Sequence, residues 1–160
     1  MGRTVLGGGV APGVTFRPTA DEQHLIDFVA ERHAGVLATI RGDGRPQLSN
    51  INYLYQPESQ QVRISVTAER AKTRNLVRDP RASLHVTSED FWTWVVLSGD
   101  VTLSDVATQP GDAAVEELVE LYRSLQGEHP DWAEYRQVMV ADRRRVVRIA
   151  VNEAYGQRPR

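Results

Sequence analysis

The feature of the sequence that most constrains the fold is a series of short runs in which apolar and polar residues alternate. A period of two is typical of strands that bury one face, and the short turn segments Gly42–Gly44 and Pro57–Ser59 favour antiparallel neighbours. Six segments carry this pattern, with a bulge or bend expected at Gly99–Asp100: residues 36–40, 47–55, 61–67, 82–87, 92–103 and 145–151. The pattern predicts a small antiparallel β-barrel.

Helical periodicity appears before, between and after these runs. A capping-box spacing, Thr19 to Glu22, predicts a first helix that Gly35 would end. A basic helix is expected from about Arg70 to Asp79-Pro80, and two more helices are expected after Pro110 and Pro130. On the helix after Pro110, which Gly127 would close, the polar face is predicted to point into water through Glu116, Glu117 and Glu120. The elements together predict a mainly β, α+β fold.

The bulk properties favour one soluble domain. The chain has 160 residues, and its first 18 are rich in glycine and proline, so we expect a flexible arm over 1–18 and a single domain over 19–160. A net charge of −2 argues against a nucleic-acid or membrane-surface partner, and no apolar run is long enough to cross a membrane. The chain contains no cysteine, which fits the cytoplasm. We therefore predict a cytoplasmic protein.

The run from Ala68 to Leu76 is a candidate anion site. It follows an alternating strand, and the first N–H groups of a helix that begins near Arg70 would point at a phosphate. Arg70, Lys72 and Thr73 add charged and hydroxyl donors in the same turn, and Lys72 is the one lysine among 19 basic residues. The alternative is a solvated basic helix face.

Two features of the strands suggest a wall for a planar ligand. Alternation places Leu48, Asn50, Asn52 and Leu54 on one face, where amides could bond a heterocycle and leucines could exclude water. The alternative is the solvated side of an edge strand. Trp92 could stack on a ring, although tryptophans at such positions more often belong to a core or an interface.

No catalytic constellation stands out. The four histidines are scattered, and none has metal-ligand spacing with a carboxylate, so no metal is expected. Nothing marks a nucleophile elbow, and the acidic residues are interpreted as surface polarity. We assign no catalytic residue, and any chemistry is expected to come from a bound cofactor.

Four segments also carry a resemblance to a known family: Gly35–Ile40, Asp43–Asn50, Arg70–Leu76 and Asp79–Ser83. They resemble the split β-barrel flavin and deazaflavin oxidoreductases, the pyridoxamine 5'-phosphate oxidase-like class, and within it the actinobacterial branch that uses the deazaflavin coenzyme F-420. The similarity covers nearly the whole predicted domain, and its most specific part is the Arg70–Leu76 run together with the preceding hairpin. It implies a six-stranded antiparallel split β-barrel with flanking helices.

The resemblance also implies a homodimer with two cofactor sites at the subunit interface. By this resemblance, the cofactor phosphate would be held by Arg70, Lys72 and Thr73, and Asn75 belongs to the same cofactor-binding run. The deazaflavin ring would be lined by Gln47, Ser49 and Asn50. Trp92 would close the pocket from the neighbouring chain. The vitamin B6 oxidases carry basic residues where this chain has Ser49, Asn50 and Asn52. That departure favours the deazaflavin over FMN as the cofactor.

The activity that the resemblance implies is hydride transfer between the reduced deazaflavin and a small electron-poor organic acceptor. A tyrosine or solvent would supply the proton. Two alternatives remain open: an FMN-binding protein of the pyridoxamine 5'-phosphate oxidase-like class, and a deazaflavin carrier or sensor without turnover. A nucleic-acid module built on the basic run is the weakest candidate, because the chain is acidic overall.

Overall fold

The computed structural model describes residues 15–158, so most of the predicted N-terminal arm, 1–18, lies outside the described residues. Four helices and seven strands follow one another along this part of the chain. Their bounds are α1 Ala20–Ala30, β1 Ala34–Ile40, β2 Pro46–Asn52, β3 Leu54–Gln56, β4 Gln61–Thr67, α2 Ala71–Arg78, β5 Arg81–Thr87, β6 Trp94–Leu103, α3 Ala113–Gln126, α4 Trp132–Ala141 and β7 Arg144–Gln157.

The strands form one antiparallel sheet in the order β2-β1-β5-β6-β7-β4-β3, and the sheet curls into a half-barrel flanked by the four helices. The predicted mainly β, α+β class is confirmed, but the sheet has seven strands and not six. The predicted strand 47–55 is divided at Tyr53, which is fully buried. Its N–H donates to the His33 carbonyl oxygen at 2.9 Å and its hydroxyl to the Val29 carbonyl oxygen at 2.6 Å. The two halves therefore become β2 and β3, at opposite ends of the sheet order.

The last strand, β7, holds the half-barrel together because it pairs with β6 along most of its length and with β4 over its first half. The register of β6 against β7 shifts between Ser98 and Gly99, which confirms the predicted irregularity. An added Cβ at Gly99 would lie 2.0 Å from the Ala150 carbonyl oxygen, so only glycine fits this close approach. β6 itself begins at Trp94, two residues later than predicted, and Trp92 lies in the preceding loop.

Helix α1 begins as predicted but ends earlier. The Thr19 hydroxyl accepts from the Glu22 N–H at 3.2 Å, and the Glu22 carboxylate accepts from the Thr19 N–H at 2.7 Å, which completes the capping box. The helix ends at Ala30, and Gly35 is a residue of β1 and not its stop signal. An added Cβ at Gly35 would lie 2.8 Å from the His85 carbonyl oxygen, so the glycine serves strand packing.

Helix α3 begins after Asp112, whose carboxylate accepts from the Val115 N–H at 2.9 Å, and it ends at Gly127 with φ of 80° as predicted. The prediction that Glu117 faces water is wrong. Its side chain is 14% exposed and accepts hydrogen bonds from Arg63 at 3.0 Å and from Arg148 Nε at 2.8 Å. The opposite charges on β4 and β7 make this inward position favourable and fasten α3 to the sheet.

The apolar side chains form two clusters. The larger lies inside the half-barrel, under α1, and includes Leu37, Tyr53 and Leu84. The smaller lies between α3, α4 and β7 and includes Leu118 and Tyr135. None of the helices described over 15–158 has the length and apolar character needed to span a membrane.

Candidate functional site

A cleft of about 440 Å³ opens where the half-barrel fails to close. β2 and β4 contact each other there, yet in the described part of the chain they are not neighbours in the sheet. The cleft has one polar wall, which five strand and helix residues supply: Asn50 and Asn52 of β2, Ser65 of β4, Lys72 of α2 and Arg144 of β7. Thus the two segments that the sequence predicted to form one site, the β2 strand and the basic helix, do share a cleft.

The end of this cleft at α2 is basic. Lys72 lies in the first turn of the helix, where the first intrahelical hydrogen bond runs from the Arg74 N–H to the Arg70 carbonyl oxygen at 3.1 Å. The N–H groups of residues 71–73 precede that bond and carry the positive end of the helix dipole. Burial lowers the pKa of Lys72, and the positive charges of Arg70 and Arg144 lower it further. This end of the cleft therefore holds positive charge in excess and suits an anion.

The helices α3 and α4 supply a wall of the cleft that is apolar except for Gln126. Tyr135 of α4 fixes its position, since its hydroxyl donates to the Leu118 carbonyl oxygen of α3 at 3.0 Å. Burial raises the pKa of Tyr135 to about 12, so this hydroxyl stays protonated and bonded. The wall can therefore cover the face of a planar ring with five side chains: Leu118, Leu121, Tyr122, Leu125 and Met139.

Three of the predicted cofactor residues are engaged in holding α2 in place. Thr73 is 0% exposed, and its hydroxyl donates to the Thr67 carbonyl oxygen at 2.8 Å. Asn75 is buried, and its Nδ2 donates to Gln47 Oε1 at 2.9 Å and to Thr39 Oγ1 at 3.1 Å. Arg78 donates to Asn75 Oδ1 at 2.9 Å. Thr73, Asn75 and Gln47 thus seat the helix that presents Lys72, and their side-chain groups already have partners.

The remaining predicted residues lie in different surroundings. Arg70 is the exposed N-cap of α2. Ser49 is half-buried and pairs with Leu37 of β1, so alternation turns it away from the face of Asn50. Trp92 is 69% exposed in the loop between β5 and β6, and it is not among the residues of this chain that line the cleft. Closure of a neighbouring chain's pocket by Trp92 stays a prediction.

Sequence reasoning missed part of the site. Arg144 could have been found in the run Arg143-Arg144-Arg145, which leads into the last strand. The apolar wall was not predicted as part of the site, although the apolar face of α3 both packs and lines the cleft. Across 15–158, no group of three histidine or acidic side chains is placed to hold a metal ion.

Comparisons with known proteins agree with this architecture. Residues 22–158 match the pyridoxamine 5'-phosphate oxidase family. A conserved hypothetical protein from Mycobacterium tuberculosis is 23% identical with a TM-score of 0.64, over 90% of this chain and 87% of that one. An F420 reductase is 21% identical with a TM-score of 0.60, over 87% of this chain and 98% of that one. A heme-binding protein from Mycobacterium smegmatis is 20% identical with a TM-score of 0.61, over 88% of this chain and 55% of that one.

At these identities the likeness to the solved structures shows the fold alone. The family match is broader evidence, because it runs from α1 to the last described residue and includes both walls of the cleft. The chain therefore belongs to the pyridoxamine 5'-phosphate oxidase family.

Proposed function

We propose that this protein is an oxidoreductase that uses the deazaflavin coenzyme F-420 to transfer a hydride to a small electron-poor organic acceptor. One observation carries the proposal: Lys72 and Asn50 line the same cleft, with excess positive charge at one end and an apolar wall along the other side. A planar cofactor with a phosphate group has the same division between a flat ring and an anionic end. The shape and charge of the cleft match it.

The residues of the cleft fit such a group in three ways. Lys72 and Arg70, at the start of α2, would hold the phosphate. Asn50 and Asn52 on β2 would donate and accept hydrogen bonds at the edge of the ring, while the side chains of α3 would cover its face. Thr73, Asn75 and Gln47 would act through α2 by fixing its position. Ser49, on the other face of β2, would act by holding β2 against β1 and not by contacting the ring. When bound, the deazaflavin supplies two-electron hydride chemistry.

The choice of cofactor rests on the β2 strand. This strand is neutral at Ser49, Asn50 and Asn52, and the two asparagines line the cleft. The ring end of the cleft therefore offers amides, whereas a basic strand would attract a second anion. The F420 reductase among the similar structures supports the same choice. FMN is the second candidate, because the family match favours it and the same cleft would accept a flavin ring.

A second copy of the chain would complete the site. Several large apolar side chains are exposed on β2, β7 and the β5–β6 loop: Leu48 is 67% exposed, Phe91 76%, Trp92 69% and Tyr155 47%. Such exposure on a curled sheet is typical of a surface that another chain covers. We infer a homodimer in which Trp92 reaches the cleft of the partner. Analytical ultracentrifugation tests this, and a monomer at all concentrations would contradict it.

The protein's part in the reaction would be to orient the acceptor, exclude water and deliver a proton. The apolar wall would keep water away from the face of the ring. Hydride transfer to the acceptor would then be favoured over proton exchange between the cofactor and solvent. The hydride would go to an electron-poor atom of the acceptor, and the proton that completes the reduction would come from Tyr122 or from solvent. Tyr122 lies in the apolar wall, whereas the hydroxyl of Tyr135 is already bonded to α3.

The proposal is tested by mixing the purified protein anaerobically with reduced deazaflavin and a set of activated alkenes, quinones and nitro-compounds. We expect multiple turnovers of the cofactor with at least one acceptor and a loss of rate in Lys72→Met. Arg74→Met is the matched control, because Arg74 is exposed on the same helix and is not among the lining residues. Tight binding with no turnover for any acceptor would identify a carrier or sensor.

A further inference from the structure

Arg144 carries a feature that the fold itself does not explain. It is the first residue of β7, and its Nε atom is buried with no hydrogen-bond partner among the described residues. The nearest carboxylate oxygen, on Asp142, lies 3.9 Å away, which is too far for a hydrogen bond. A buried donor without a partner is unfavourable, and because the Arg144 side chain is 33% exposed, a ligand in the cleft can reach its guanidinium.

The surroundings of Arg144 show which kind of partner fits. Arg144 pairs with Thr67 in the ladder of β7 against β4, just before the chain turns into α2. It lines the cleft together with Lys72, and its charge lowers the pKa of that lysine. No carboxylate is among the lining residues in the part of the chain described. Two cations and a helix N-terminus therefore converge in the cleft, whereas the Asp142 carboxylate near Arg144 is half exposed and is not among the lining residues described.

A second buried arginine nitrogen shows that this situation is specific to the cleft. Arg63 Nε also has no partner within the described residues. However, the Nη1 of Arg63 forms a hydrogen-bonded ion pair with Glu117 at 3.0 Å, so its charge is compensated. Arg63 is also not among the residues that line the cleft. Arg144 combines an unpaired buried donor with a place on the ligand-facing wall.

We propose that Arg144 is an anion-binding residue which, together with Lys72, requires the ligand to bring two negative charges to this end of the cleft. This inference rests on the proposed function, since the ligand is the phosphate-bearing cofactor, and it goes beyond it by assigning a residue and a charge. A single negative charge would leave one of the two half-buried cations without compensation. The two charges reside either on one doubly ionised phosphate monoester or on a phosphodiester with a second anionic group beside it.

The test compares ligands that differ only in charge. FMN and riboflavin share the same ring, and only FMN carries the phosphate. We expect Arg144→Gln to weaken FMN binding at least about 10-fold, the scale of one charged hydrogen bond, and to change riboflavin binding less than twofold. Arg144→Lys keeps the charge but lacks Nε, so it should lose less FMN affinity than Arg144→Gln does. Equal losses for FMN and riboflavin, or no loss for FMN, would overturn the proposal.

The matched control is Arg143→Gln. Arg143 is the neighbouring residue in the sequence, is exposed, forms its ion pair with Glu69 outside the cleft and should leave FMN affinity unchanged. The deazaflavin, tested in the same series, identifies the source of the two charges. If Arg144→Gln loses more affinity for FMN than for the deazaflavin, both charges reside on one phosphate. If it loses equal affinity for the two cofactors, the charges reside on two groups.

Inorganic anions separate this inference from the proposed function. If neither cofactor binds, the thermal stabilisation of the protein by sulfate and by formate, at matched ionic strength, still reports on the site. We expect sulfate to raise the melting temperature of the wild type more than formate does, and Arg144→Gln to reduce that difference to the general stabilisation that sulfate gives any folded protein. The same response to both anions in the wild type would refute the two-charge site even where the cofactor hypothesis survives.

Discussion

The substitution Asn75→Ala tests whether this residue contacts the cofactor or seats the helix that does. The buried amide of Asn75 connects three elements: it donates to Thr39 of β1 and Gln47 of β2, and it accepts from Arg78 of its own helix. The distances are 3.1, 2.9 and 2.9 Å, so all three are sound hydrogen bonds. Alanine would remove all of them and leave the buried Thr39 hydroxyl with one partner fewer.

The expected cost follows from the number of bonds. A hydrogen bond of this kind contributes about 0.5–1.5 kcal/mol net, so the loss of three should lower the free energy of unfolding by about 1.5–4.5 kcal/mol. With a urea slope of about 2 kcal/mol per molar, typical of a small domain, the unfolding midpoint should fall by about 1–2 M.

The assay is equilibrium urea unfolding, followed by circular dichroism and by tryptophan fluorescence. Val77→Ala is the control, because Val77 is on the same helix, is 66% exposed and should change stability by less than about 0.5 kcal/mol. If Asn75→Ala unfolded at the wild-type midpoint while its cofactor affinity dropped, the role inferred from the hydrogen bonds would be refuted in favour of a direct contact.

Three further predictions follow from the same contacts. The pKa of Lys72 is lowered in the free protein and should rise when an anion binds. Above about pH 7, where the FMN phosphate is doubly ionised, FMN affinity should therefore be constant at first and fall as the pH rises through the lowered value, below 10.5; Lys72→Arg should remove the fall in a pH series of titrations. Glu117→Gln should destabilise the protein by about 1–3 kcal/mol in urea unfolding, because Arg63 and Arg148 lose their counter-charge; an unchanged midpoint would contradict this. Trp92→Ala should weaken cofactor binding about 2- to 12-fold, the scale of one aromatic contact, with the dimer intact by ultracentrifugation, and an unchanged affinity would remove Trp92 from the site.

Much of the fold could be predicted because local chemistry decides it. The capping box at Thr19, the stop at Asp79 and the left-handed Gly127 each have a local cause, and each lies where the sequence predicted it. The division of the 47–55 run could not be predicted in this way. Tyr53 fits an alternating strand, and only its buried hydrogen bonds to Val29 and His33 show that the chain bends there.

The candidate site was only partly predictable for a similar reason. The start of α2 identified Lys72, because helix N-termini and basic side chains have a known affinity for anions. Which side chains of one helix face a ligand and which hold the helix depends on tertiary contacts, and so Thr73 and Asn75 could not be distinguished from Lys72 beforehand. Arg144 is more than seventy positions away in the sequence, and it reaches the same cleft only through the pairing of β7 with β4.

The central claim is that Lys72 anchors the phosphate of a planar redox cofactor in the cleft between β2 and α3. Titration of the purified protein with deazaflavin coenzyme F-420 and with FMN, followed by fluorescence quenching, tests it most directly. The account predicts saturable binding of the deazaflavin, tighter than that of FMN, with a dissociation constant that rises about 10- to 150-fold in Lys72→Met, equivalent to about 1.5–3 kcal/mol. Binding of neither cofactor, or an affinity that changes less than twofold in Lys72→Met, would contradict it.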